Sequence, residues 1–171
     1  MKKTQRVVTI AIATFFLTTL IGCISARVFQ TSGTTDTVAP VSDVKVIVAL
    51  DPASEAWYRT NSTSGALRAA LIDELRHAGK FAPSETILEF TVTDFYLRSF
   101  AQIFWLGYMA GSDSLVGNVT VKKGSTIVKT FDASAKGSDS AWSAMVLFRL
   151  SAGGRDDSLC RLIAKKTARD L

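Results

Sequence analysis

The segment "DSLVGNVTVKKGSTIVKTFDASAKG", Asp113 to Gly137, constrains the fold more than any other part of the chain. Leu115, Gly117, Val119 and Val121 alternate with polar neighbours, and Ile127, Lys129, Phe131 and Ala133 continue on a returning strand after "KKGS". A period of two belongs to a strand with one dry and one wet face, and a short turn containing glycine folds two such strands onto each other. The reading is a hairpin. A lone hairpin is barely stable in water, so the remaining chain must supply further strands and a cover for its apolar face.

Other segments supply them. Val44 to Leu50 (VKVIVAL) is a β-branched run closed by Asp51-Pro52, which predicts a buried first strand. A polar stretch then leads to Thr63-Ser64, either of which can cap a helix. That helix places Leu67, Leu71, Leu75 and Ala78, helped by Ile72, on one face, with Arg68, Asp73, Glu74 and Arg76 opposite and Gly79 as its stop. Leu88, Phe90 and Val92 alternate with Glu89, Thr91 and Thr93, and past Asp94 the apolar phase moves to Phe95 and Leu97, as at a bulge or bend. A last helix starts at Asp157 or Ser158, with Cys160, Ile163, Ala164, Thr167, Ala168 and Leu171 as its inner stripe. The order strand, helix, strand, strand, strand, helix predicts an α+β two-layer sandwich, with both helices on one face of a mixed or mostly antiparallel sheet.

The N-terminus has a different character. Lys2, Lys3 and Arg6 precede the mostly apolar run from Val7 to Leu20, which is too short and too rich in threonine for a stable membrane span. Leu20-Ile21-Gly22-Cys23 follows and has the form of a bacterial lipobox. Gly22 leaves room at the cut, Leu20 fills an apolar subsite, and the Cys23 sulfur takes the thioether-linked glyceride. Two or three acyl chains anchor stably, since each buried CH₂ contributes about 0.8 kcal/mol. The expected organisation is a removed signal peptide over 1–22, acylated Cys23 with a flexible tether over 23–43, and one domain over 44–171. Cys160 is then the one free thiol of an exported chain. Ile24 stands where an aspartate would resemble an inner-membrane retention signal, so in an organism with two membranes the expected address is the periplasmic face of the outer membrane.

Charge excludes one class of partner. Of 20 basic residues, Lys2, Lys3 and Arg6 lie before the cut, and the remainder nearly balances the 15 acidic ones. Beyond it the basic clusters are Lys122-Lys123 and Lys165-Lys166, too little to follow a phosphate backbone, so no nucleic acid is expected.

The element order, the helix "LRAALIDELRHAGKF" and the hairpin together resemble a group of poorly characterised bacterial envelope lipoproteins. The layout is also similar to periplasmic lipoproteins of curli secretion, of penicillin-binding-protein activation and to the N-terminal domain of the Tol system's periplasmic protein. The resemblance spans roughly residues 44 to 171. It implies the fold and a habit of binding other envelope components, and it carries no catalytic residues. Lys122-Lys123 departs from the acidic turn residue that such relatives often have.

Enzyme signatures are sparse. His77, the only histidine, falls near the end of the first helix beside its polar face, where it complements the helix dipole. Cys160 lies on an apolar stripe, which suits packing better than nucleophilic duty. Asp156-Asp157 reads as a helix start, "GYMAGS" lacks the lysine and glycine spacing of a phosphate loop, and no G-x-S-x-G occurs. No catalytic residue, metal site, cofactor or small-molecule ligand is inferred. What stands out is "FAQIFWLGYMAG", Phe100 to Gly111, which crowds large apolar side chains into a stretch too short to span a bilayer. A second concentration, "AWSAMVLFRL", covers 141–150. Each stretch can be core, or a surface for a partner protein or membrane. The candidate surface is Phe104, Trp105, Tyr108 and Met109, with Trp105 and Tyr108 expected outward and Phe100 and Ile103 inside. The expected role is that of a lipid-anchored envelope protein with a non-catalytic binding or assembly function and an envelope protein partner. The alternatives are an accessory component of an envelope transport or secretion machine and, less supported, a cell-wall hydrolase.

Overall fold

A computed structural model describes residues 23–33, 38–61, 64–106, 111–138 and 152–171. The elements in chain order are β1 (Cys23–Gly33), β2 (Val41–Val48), α1 (Pro52–Asn61), α2 (Ser64–His77), β3 (Thr86–Tyr96), α3 (Phe100–Leu106), β4 (Asp113–Lys123), β5 (Thr126–Ser138) and α4 (Ala152–Asp170). The five strands form one open sheet in the order β1-β5-β4-β3-β2. Of the four strand pairs among the described residues, β2–β3 is parallel and the other three are antiparallel, so the sheet is mixed and mostly antiparallel and the fold is α+β.

The hairpin is β4–β5, its turn passing through Gly124 at φ +61°. On the dry face Leu88, Phe90 and Val92 of β3 stand beside Val121, Val119 and Gly117 of β4, and Phe131, Ala133 and Ala135 extend the layer across β5. The ladder between β3 and β4 slips between Val92 and Asp94, where the apolar phase of the sequence changes, and Phe95 and Leu97 are buried beyond the slip. Gly117 is required by packing: a Cβ there would lie 2.4 Å from the Phe90 ring and 2.4 Å from the Thr91 carbonyl oxygen.

Leu67, Leu71 and Leu75 of α2 and Leu159, Cys160, Ile163 and Ala164 of α4 close over this layer. The end of α2 is a Schellman turn: Lys80 N–H donates to the Leu75 carbonyl at 2.8 Å and Gly79 N–H to Arg76 at 3.0 Å, with Gly79 at φ +68°. Helix α1 has a single fully buried apolar side chain, Tyr58, set edge-on against Phe95 with ring centroids 4.9 Å apart. The Asp51-Pro52 pair that closes the strand also opens this helix, because Asp51 Oδ1 accepts from the Ala53 and Ser54 amides at 3.0 and 3.2 Å.

Two expectations need correction. Residues 23–43 are not a free tether, because Cys23–Gly33 is the edge strand β1, paired antiparallel with β5 from Cys23↔Ser138 to Gly33↔Lys129, and β2 already starts at Val41. Serines and threonines suit a strand as well as a linker, and Ala26 and Val28 face the core while Arg27 and Phe29 face solvent. The order is also richer than strand, helix, strand, strand, strand, helix: β1, α1 and α3 are additional, and α4 begins at Ala152, ahead of Asp157. Residues 1–22, Thr63, Tyr108, Met109 and the 141–150 concentration lie outside the described residues.

Candidate interaction surface

The segment after β3 is built around a buried ionic cluster. Arg98 follows Leu97 at the strand's end, and its side chain is fully buried. Its Nε donates to Asp113 Oδ1 at 3.2 Å, Nη1 to the Gly111 carbonyl at 3.0 Å and Nη2 to the Gly137 carbonyl at 3.5 Å. The Arg98 backbone N–H donates to the same Asp113 oxygen at 2.8 Å. Arg155, from the first turn of α4, donates through Nη1 to both Asp113 oxygens at 3.2 and 3.0 Å, and through Nη2 to the Arg98 carbonyl at 2.9 Å. One carboxylate thus ties the end of β3, the start of β4 and the start of α4, with the Arg98 guanidinium reaching β5.

Helix α3 springs from this cluster. Ser99 caps it reciprocally with Gln102: the Gln102 amide donates to Ser99 Oγ at 3.2 Å, and the Ser99 amide donates to Gln102 Oε1 at 2.7 Å. With the entry fixed, Ile103 turns into the protein at 2% exposure, while Trp105 stands 79% exposed and Leu106 55% exposed. Tyr96, at the end of β3, is also exposed. Large apolar groups in water forgo the roughly 25 cal/mol per Å² that burial would return.

Ile103 inward and Trp105 outward is the mixed arrangement expected for this stretch. The side chains of Phe100 and Phe104, like Tyr108 and Met109, lie outside what is described. Cys23 is placed by its backbone at the start of β1, opposite Ser138. His77 is exposed at the end of α2 with Nδ1 3.9 Å from Asp73, and Cys160 is fully buried, its Sγ 3.6 Å from Asp156 Oδ1. Among the described residues no group of three His, Cys, Asp or Glu side chains is placed to hold a metal ion. Two open grooves flank α2 and α4. One, of about 510 Å³, is lined by Arg68, Asp73, Arg76, Asp157 and Arg161. The other, of about 610 Å³, is lined by Ala26, His77, Leu162, Lys165, Lys166 and Arg169.

The carboxyls held below their ordinary range serve the fold elsewhere. The Arg68 hydrogen bond lowers Asp43, and hydrogen bonds from Ser54 lower Asp51. Burial pushes Asp170 up, but Lys166 and Arg169 together outweigh it. Sequence reasoning missed Arg98, Asp113 and Arg155. The available signal was an arginine inside the apolar run "FYLRSFAQIFW", since a charge in such a setting needs a partner.

No protein-family model matches the chain, and no curated protein does. Among solved structures it is similar to the PelC dodecamer from Paraburkholderia phytofirmans at 14% identity, covering 83% of this chain and 96% of that one with a TM-score of 0.45. A point variant of the same dodecamer aligns at 15% identity with the same coverage and a TM-score of 0.45.

Proposed function

We propose that the protein is a lipid-anchored component of the bacterial cell envelope with a non-catalytic role in binding or assembly. The observation that carries this reading is the place of Cys23. The cysteine that ends the lipobox is also the first residue of an edge strand, so the acylated residue would be continuous with the sheet and hold the domain against the bilayer.

That arrangement supports binding in a specific way. β1 is eleven residues long and lies at the sheet's edge, with Phe29 61% exposed along it. An outward row of backbone donors and acceptors on an edge strand is a template for a further strand from another chain. Anchoring such an edge at a membrane confines the search for a partner to that surface.

Palmitate labelling of the wild-type chain and of Cys23→Ser tests the anchor. Label and signal cleavage should be present in the first and absent in the second, and equal labelling would sink the reading. A photo-activated cross-linker at position 29 tests the binding role in intact cells, where a discrete adduct with an envelope protein or a second copy is expected. A labelled, correctly exported chain that forms no adduct there would refute assembly through β1.

A further inference from the structure

We propose that Trp105 and Leu106 form a second membrane contact, inserted into the lipid interface beside the Cys23 anchor, so that the domain stands with one end of its sheet on the bilayer. The inference rests on the lipid-anchor reading above and adds residues that the lipobox does not involve.

Strand register carries the argument. Cys23 lies opposite Ser138, the neighbouring Gly137 lies opposite Asp113, and the next residue of β4, Ser114, lies opposite Tyr96. Stepping across β1, β5, β4 and β3 therefore keeps the start of β1 within two residues, about 7 Å, of the level of Tyr96. The sideways distance is three strand spacings, about 14 Å. Cys23, Asp113 and Tyr96 share one end of the sheet, and the Arg98 guanidinium holds the base of α3 to that same end through Asp113, Gly111 and Gly137.

Exposed apolar groups are unevenly shared between the two ends. The anchor end carries Trp105, Leu106 and Tyr96, with Trp57 next to the Tyr58 that packs on Phe95, while Phe29 and Ile47 stand at the level of Asn118, midway along β4. The opposite end, around the β4–β5 turn, carries Lys122, Lys123 and Gly124, with Ile127 as its exposed large apolar residue. Trp and Tyr have apolar bodies with polar edges and favour the boundary between headgroups and acyl chains. A chain tethered at Cys23 already meets that boundary within reach of α3. The ionic cluster and the Ser99–Gln102 cap would then serve to aim Trp105 at it, and two contacts about three strand spacings apart fix an orientation that acyl chains alone leave free. The occupant we assign is the bilayer surface itself.

The test uses the full-length, natively acylated protein in vesicles of phosphatidylethanolamine and phosphatidylglycerol whose acyl chains are brominated near the headgroup. Tryptophan fluorescence is compared for wild type, Trp105→Phe and a Trp57→Phe/Trp142→Phe chain that keeps Trp105 as its one tryptophan, while palmitate label and co-sedimentation report the anchor separately. The expected result is strong quenching of the chain that keeps Trp105 alone, and clearly weaker quenching in Trp105→Phe than in wild type. A labelled, co-sedimenting protein whose Trp105 emission escapes quenching overturns this inference and leaves the anchor standing. An unlabelled protein overturns the anchor reading first and this one with it. A Trp105→Phe chain that fails to fold, by circular dichroism, would place residue 105 in the core and overturn the proposal too, as would a cross-linker at 105 that captures protein instead of lipid.

Discussion

Asp113→Ala is the substitution on which the ionic cluster stands or falls. It removes the carboxylate that Arg98 and Arg155 share, whose side chains are 0% and 11% exposed. Breaking a buried pair by deleting one partner costs about 3–5 kcal/mol, because a charge is left in a poorly solvated place. The Arg98 backbone amide loses its acceptor as well, adding about 1 kcal/mol. Partial exposure of Arg155 lets water relieve part of this, so the total should lie near 4 kcal/mol. For a chain of this length that is a fall of about 10–15 °C in Tm. Asp113→Asn keeps an acceptor oxygen and should lose less. Arg155→Met leaves a neutral Arg98–Asp113 pair and should cost about 1–2 kcal/mol. Thermal and urea melts followed by circular dichroism would give the series. An Asp113→Ala protein within about 1 kcal/mol of wild type, or an Arg155→Met protein less stable than it, would refute the claim that this cluster organises the end of the sheet.

Two further outcomes test the core. Gly117→Ala should destabilise by about 1–3 kcal/mol or more, because the added methyl meets a backbone carbonyl as well as the Phe90 ring; a neutral effect in denaturant melts would show that β3 and β4 can part at no cost. Cys160 should react slowly with a thiol reagent in the native protein and quickly in urea, and Cys160→Ala should cost about 1 kcal/mol; fast native labelling would show that the face of α4 is misassigned.

What could be read from the sequence was whatever repeats locally. The β4–β5 hairpin, the Leu67–Leu71–Leu75 stripe of α2 and the inner stripe of α4 each announce themselves within a dozen or so residues, because burial on one side imposes a period. The bulge after Val92 was visible as a change of phase. β1 was not visible, because nothing near Cys23–Gly33 shows that its partner lies more than a hundred residues away. Helix α1 was missed for another reason: among "PASEAWYRTN" only Tyr58 is fully buried, and one anchor makes no stripe. The cluster of Arg98, Asp113 and Arg155 is the product of topology alone. Three charges scattered along the chain meet only after β3, β4 and α4 are in place. The aromatic stretch was legible as unusual, but which of its side chains face out depends on the Ser99 cap and on that cluster.

The pairing of β1 with β5 also sets an order of events. A chain made from its N-terminus presents β1 before the other described strands, yet the strand that completes its hydrogen bonds is the second arm of the hairpin, closing a loop of about a hundred residues. The β4–β5 hairpin, with its arms adjacent in sequence, can form before that closure, and so can the α2 helix. Local pairing thus favours a β1 that joins after the hairpin, and α4 packs on both β1 and β5. Closure of the fold uses the row of β1 backbone groups that faces β5, and the opposite, outward row is the one left for association.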